Sequence, residues 1–113
     1  MKLPATERAL IEPAKVRDYL LSREHPVGRF KAVFFESLGY STDAWQQLEA
    51  DLRALAIAGE AILGDQTKYG QKYEVRGTLN GPSGRAASVV AAWIVRWGED
   101  TARFVTAFPG EKT

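Results

Sequence analysis

Positions 25 to 31 read His-Pro-Val-Gly-Arg-Phe-Lys, so the only histidine of the chain stands close in sequence to Arg29 and Lys31. Histidine is the side-chain type whose ordinary pKa lies nearest neutrality, which suits it to general acid or base work. Pro26 fits the first turn of a helix, and the open backbone N–H groups of such a turn attract an anion. Arg29, four residues after His25, faces the same way, and Lys31 leans back toward the helix start. The segment therefore predicts a site for a phosphate ester. The competing reading is a histidine that caps a helix or lines a loop, beside two solvated cations.

Two further constellations could carry chemistry. Lys68-Tyr69-Gly70-Gln71-Lys72-Tyr73 sets two lysines and two tyrosines around a glycine turn, a combination that can hold a phosphate and stack on a base. A hairpin with ordinary cross-strand aromatic pairing explains the same residues. Thr106 is expected to share a strand face with Phe104 and Phe108, where a buried hydroxyl must find a partner. A β-branched threonine is equally at home in a plain strand. Trp93 reads as core, whereas Trp97, near a turn, reads as a contact surface.

The inventory removes other chemistries. The chain has no cysteine, which excludes disulfides, thiolate zinc and a cysteine nucleophile. No carboxylate stands at metal-ligand spacing from His25, and no glycine-rich phosphate loop precedes a helix, so neither a metal nor a cofactor is expected. Net charge is +1, with eight basic and eight acidic residues up to Ala58 and seven against six after it. Neither half is a polybasic arm of the kind that binds nucleic acid through bulk charge. Met1 to Pro4 lacks the apolar stretch of a signal peptide, and no run approaches the ~20 apolar residues of a membrane span. A soluble, cytoplasmic protein of one domain, residues 1–113, is the expectation.

The elements that must position these residues follow from periodicity. Ala5 to Ile11 reads as a short strand or a frayed lead-in. Glu12 can cap a helix with Pro13 in its first turn, in which Val16, Tyr19 and Leu20 recur at helical spacing up to Leu21. Pro26 opens a second helix whose apolar stripe is Phe30, Phe34 and Leu38, ended by Gly39 in a left-handed cap. Ser41 caps a third, with Trp45, Leu48, Leu52 and Leu55 on one face and Gly59 closing it. From Glu60 the period changes to two. Tyr73, Val75 and Leu79 alternate with Lys72, Glu74 and Arg76, and Asn80 to Gly84 is turn chemistry. Arg85 to Trp97 is apolar on both parities and should be a central strand covered on both faces, and Ala102 to Phe108 supplies the last strand. The fold class is α+β, with three N-terminal helices packed on a C-terminal antiparallel β-meander of about four strands.

PAKVRDYLLS from Pro13, HPVGRFKAVFFESLGY from His25, KYGQKYEVRGTLNGPSGR from Lys68 and AWIVRWGEDTARFVTAFP from Ala92 resemble a bacterial family of unknown function. The likeness spans almost the whole chain and is sharpest at HPVG-x-x-KA and at the WIV to VTA-aromatic-P ending. Members occur as small proteins and as C-terminal tips of polymorphic toxins. The order of helices then meander is also similar to the barnase, colicin and RelE ribonuclease toxin fold. The resemblance implies that His25 moves the proton of a 2′-hydroxyl or of a leaving oxygen. It implies that Lys31 and Lys72 offset charge developing on phosphorus oxygens, and that Thr106 holds one of those oxygens. Arg29, Lys68, Tyr69 and Tyr73 would contact substrate.

Beside a degenerate member that keeps the fold without activity, two readings fit the sequence. One is a metal-independent endoribonuclease of toxin type, with RNA as substrate and an antitoxin or immunity protein as partner. The other is a non-enzymatic module that grips a phosphate-bearing ligand or another protein.

Overall fold

The computed structural model describes residues 1–4 and 9–110; residues 5–8, where the first expected strand begins, and 111–113 lie outside the described residues. The chain runs α1 (Pro13–Lys15), a π-helical stretch (Val16–Leu20), α2 (Gly28–Ser37), a 3-10 turn (Thr42–Ala44), α3 (Trp45–Ala58), then β1 (Glu60–Gln66), β2 (Gly70–Asn80), β3 (Ala86–Arg96) and β4 (Ala102–Pro109). The strands form one antiparallel sheet in the order β1-β2-β3-β4. This is the expected α+β class, with a first helix shorter than its apolar spacing implied. Of the expected lead-in strand, the described residues show a parallel bridge between Leu10 and Arg103. No helix among the described residues is long and apolar enough to cross a membrane.

Alternation sorts the sheet into two faces. Ala61, Val75, Ala91 and Ala107 stand opposite one another across the strands, and all are buried against the helices. Trp93 shares that face and meets Phe104 edge-on, with ring centroids 5.5 Å apart. Val16, Leu20, Phe35, Leu48 and Leu52 close the core from the helical side. Burying a side chain such as Phe35 contributes about 1.5–3 kcal/mol. On the opposite face of β3 only Val90 is buried, while Ala92 and Ile94 are half-buried. The strand is central as expected, but its second face is only partly closed.

Helix α2 departs from expectation. Its buried side is Gly28, Ala32 and Phe35, continued by Leu38, whereas Phe30 is 69 % exposed and Phe34 half-buried. Gly28 explains the rotation: a Cβ there would stand 2.0 Å from the Tyr19 carbonyl oxygen. Only a glycine lets α2 begin hard against the π-helical stretch, and that contact turns Phe30 outward. At the other end Gly39 adopts φ +101°, the left-handed cap the sequence predicts, and the Ser83 N–H donates to the Leu38 carbonyl. Helix α2 is thus held between the first helical segment and the β2–β3 turn.

Candidate functional site

The centre of the site is a residue that the sequence pattern assigns to the core. Tyr19 belongs to the π-helical stretch, where the Leu21 N–H reaches the Val16 carbonyl five residues back at 3.0 Å. Single π turns recur at functional sites because the extra residue re-aims a side chain. Here it delivers the Tyr19 phenol to two other elements. The Lys31 ammonium, from α2, donates to Tyr19 Oη at 3.0 Å and lies 5.3 Å from the ring centroid. The Thr106 hydroxyl, from β4, is 3.2 Å from the same oxygen. The His25 ring meets the Tyr19 ring edge-on, with centroids 4.9 Å apart.

His25 is held by the start of α2. Its Nδ1 accepts the backbone N–H groups of Val27 and Gly28, each at 3.0 Å, and the His25 backbone N–H donates to Ser22 Oγ at 3.3 Å. The capping role that the sequence set against a catalytic one is therefore present, and it uses one ring nitrogen only. Nε2 is the nitrogen left for a ligand.

Thr106 reaches the site through an irregularity. Regular alternation would place it with Phe104 and Phe108, but the β3–β4 register slips between Ala92 and Trp93. Phe104 then faces Trp93 in the core while Thr106 pairs with Ala92, which corrects the expectation that Thr106 and Phe104 share a face. The bulge also lets two consecutive residues, Val105 and Thr106, line one cleft. That cleft has a volume of about 600 Å³, and Tyr19, His25, Lys15 and Asp18 also border it.

Electrostatics set the Tyr19 phenol apart. Partial burial pushes its pKa up, but the hydrogen bonds with Lys31 and Thr106 and the positive charges of Lys31 and Lys15 outweigh that and leave it below the ordinary tyrosine value.

The remaining expected residues stand elsewhere. Lys72 is exposed on β2, opposite Ile94, while Thr106 is opposite Ala92 on β4. One strand separates them, so their backbones are at least about 10 Å apart, twice the spacing of neighbouring strands. The Arg29 guanidinium lies over the Phe30 ring, 4.8 Å from its centroid. Lys68 and Tyr69 share the β1–β2 turn, the ammonium 5.2 Å from the ring centroid. The Trp97 N–H donates to the Tyr69 carbonyl and its indole N–H to the Thr67 carbonyl, so Tyr69 and Trp97 flank one end of the sheet. Tyr73 faces Trp93 and packs against the core. The lysine–tyrosine constellation is thus split between a turn and two sheet faces, as a period of two requires.

The helical layer on one face of a four-strand meander defines an architecture seen in a bacterial toxin assembly. A chain of a contact-dependent growth inhibition toxin–immunity protein complex from Klebsiella pneumoniae 342 superposes with a TM-score of 0.71 at 20 % identity, over 95 % of this chain and 97 % of that one. At that identity the likeness is one of fold. Residues 2–111 match the domain of unknown function DUF6883, and the chain belongs to that family. No curated protein matches it significantly.

Proposed function

We propose that this domain is a toxin-type endoribonuclease that cleaves RNA phosphodiesters without a metal ion. The observation that carries the reading is the meeting of His25, Lys31 and Thr106 on the Tyr19 phenol beside a single cleft. An ammonium, a hydroxyl and an imidazole with one free nitrogen are the groups a pentavalent phosphorus needs around it. Lys31 offsets the developing charge, Thr106 holds a phosphate oxygen and His25 acts through Nε2. Lys72, Lys68, Tyr69 and Tyr73 stand outside this cleavage centre, and the Arg29 guanidinium lies over Phe30. The toxin–immunity origin of the structural neighbour supports a protein inhibitor as the cognate partner.

The test is incubation of purified protein with total RNA in excess chelator, beside His25→Asn and Lys31→Ala. Asparagine is a strong helix cap, so His25→Asn removes the imidazole while keeping the start of α2 supported. Cleavage that is lost in Lys31→Ala and weakened in His25→Asn supports the reading; intact RNA with the wild-type protein ends it.

One observation favours a second reading, a protein-binding module. Val27, which borders the cleft, and Phe30 and Val33 of α2 are all more than half exposed. Tight binding of a protein partner by a wild-type domain that leaves RNA intact would select that alternative.

A further inference from the structure

We infer that Tyr19 and Lys31 form the proton-transfer pair of this cleft, with His25 confined to donating a hydrogen bond through Nε2. The inference rests on the ribonuclease reading and deepens it.

The argument starts from the imidazole. A neutral histidine carries one ring hydrogen, and the nitrogen that accepts a hydrogen bond cannot be the one that holds it. Because His25 Nδ1 accepts two backbone N–H groups, the hydrogen sits on Nε2. Nε2–H can donate to a phosphate oxygen, but it has no lone pair with which to take a proton from a hydroxyl. A base must come from another group. Tyr19 is in place: it borders the cleft, its ring meets the His25 ring edge-on, and its Oη accepts a hydrogen bond from an ammonium. The charged groups facing it are Lys31 from α2, Lys15 and Asp18 from its own segment, and Glu12 just before that segment. Asp18 is engaged by two hydrogen bonds from Arg17, which leaves the two lysines as the charges that favour a phenolate.

The proton cycle then closes on itself. The 2′-hydroxyl gives its proton to the Tyr19 phenolate as its oxygen forms a bond to phosphorus. The bond from phosphorus to the 5′ oxygen breaks with its electron pair, and the Lys31 ammonium protonates that oxygen. The proton on Tyr19 passes along the 3.0 Å hydrogen bond to the Lys31 amine, restoring phenolate and ammonium. The products are a 2′,3′-cyclic phosphate and a 5′-hydroxyl end, with no outside reactant.

The experiment uses the full chain and an oligonucleotide with one ribonucleotide among deoxynucleotides. Tyr19→Phe keeps the ring and its contact with His25 and removes only the oxygen. We expect kcat to fall about a hundredfold or more, and the rise of rate with pH to vanish with it. His25→Asn should lower the rate yet keep that rise. Cleavage that survives Tyr19→Phe, or a pH limb that disappears with His25→Asn and persists in Tyr19→Phe, would overturn the inference while leaving the ribonuclease reading intact. Intact oligonucleotide with wild-type protein would overturn that reading and the cycle together. A readout independent of turnover is the ultraviolet titration of phenolate, with Tyr19→Phe as the difference reference. Tyr19 should ionise below the ordinary tyrosine value of about 10 and move upward in Lys31→Ala; a signal unmoved by Lys31→Ala sinks the pair.

Discussion

Tyr19 and Tyr40 both place a phenol among the helices, and both hydrogen-bond to charged side chains, yet the charges have opposite sign. Tyr19 Oη takes a bond from the Lys31 ammonium at the border of an open cleft. Tyr40 is buried and its hydroxyl donates to Asp51 at 2.6 Å, joining the end of α2 to α3. Burial, the hydrogen bond to Asp51 and that carboxylate's charge push the Tyr40 phenol above its ordinary value, whereas Lys31, Thr106 and Lys15 bring the Tyr19 phenol below it. A tyrosine held by an anion keeps its proton and serves as a clamp; one held by cations can release it. The sign of the neighbour's charge separates the phenol that ties α2 to α3 from the one proposed for chemistry.

The sharpest break of this contrast is Tyr19→Phe, for which single-turnover RNA cleavage should drop about a hundredfold or more while Tyr40→Phe leaves the rate unchanged. Next comes Gly28→Ala. Its new Cβ meets the Tyr19 carbonyl, so urea unfolding should show a loss of about 3 kcal/mol, with activity falling alongside. Tyr40→Phe removes a hydrogen bond to a carboxylate and should cost about 1–2 kcal/mol in the same assay.

Alkaline stability offers a smaller test with opposed signs. Tyr40, raised in the folded state, contributes stability that is full below the unfolded tyrosine value of about 10 and is lost as pH climbs toward its folded value. Tyr19, lowered in the folded state, contributes stability that is present above about 10 and is lost as pH falls through its folded value. Urea midpoints between pH 9 and 11, a range set by ordinary tyrosine ionisation at about 10, should therefore fall less steeply in Tyr40→Phe and more steeply in Tyr19→Phe. The smallest effect is expected at Lys72→Ala, an exposed position: stability within about 0.5 kcal/mol and a near wild-type cleavage rate, against the loss in Lys31→Ala.

Much of the sheet was legible because its alternation is unambiguous: Val75 and Leu79 are buried where the period of two puts them, and Asn80 to Gly84 makes the turn. Helix α3 was legible for the same reason, through Leu48, Leu52 and Leu55. Helix α2 was not, since Phe34 and Phe35 are adjacent and allow two stripes. The larger side chains favour Phe30, Phe34 and Leu38, and the structure chose the one through Gly28 and Ala32 because backbone contact with Tyr19 outranks side-chain size. His25, Lys31 and Thr106 were singled out by residue type, but what joins them was hidden. Tyr19 lies at helical spacing from Val16 and reads as core, and no pattern of alternation announces the extra residue at Val105 that lets Thr106 reach it.

The widened turn from Val16 to Leu20 makes the cleft depend on chain length as well as on chemistry. An α-helix advances about 100° per residue, so excising one amino acid from that turn would restore a regular helix and swing the phenol away from Lys31 and Thr106 by roughly that angle. Natural variants of this domain should therefore accept substitutions at the solvent-facing positions of the turn far more readily than a single-codon deletion within it.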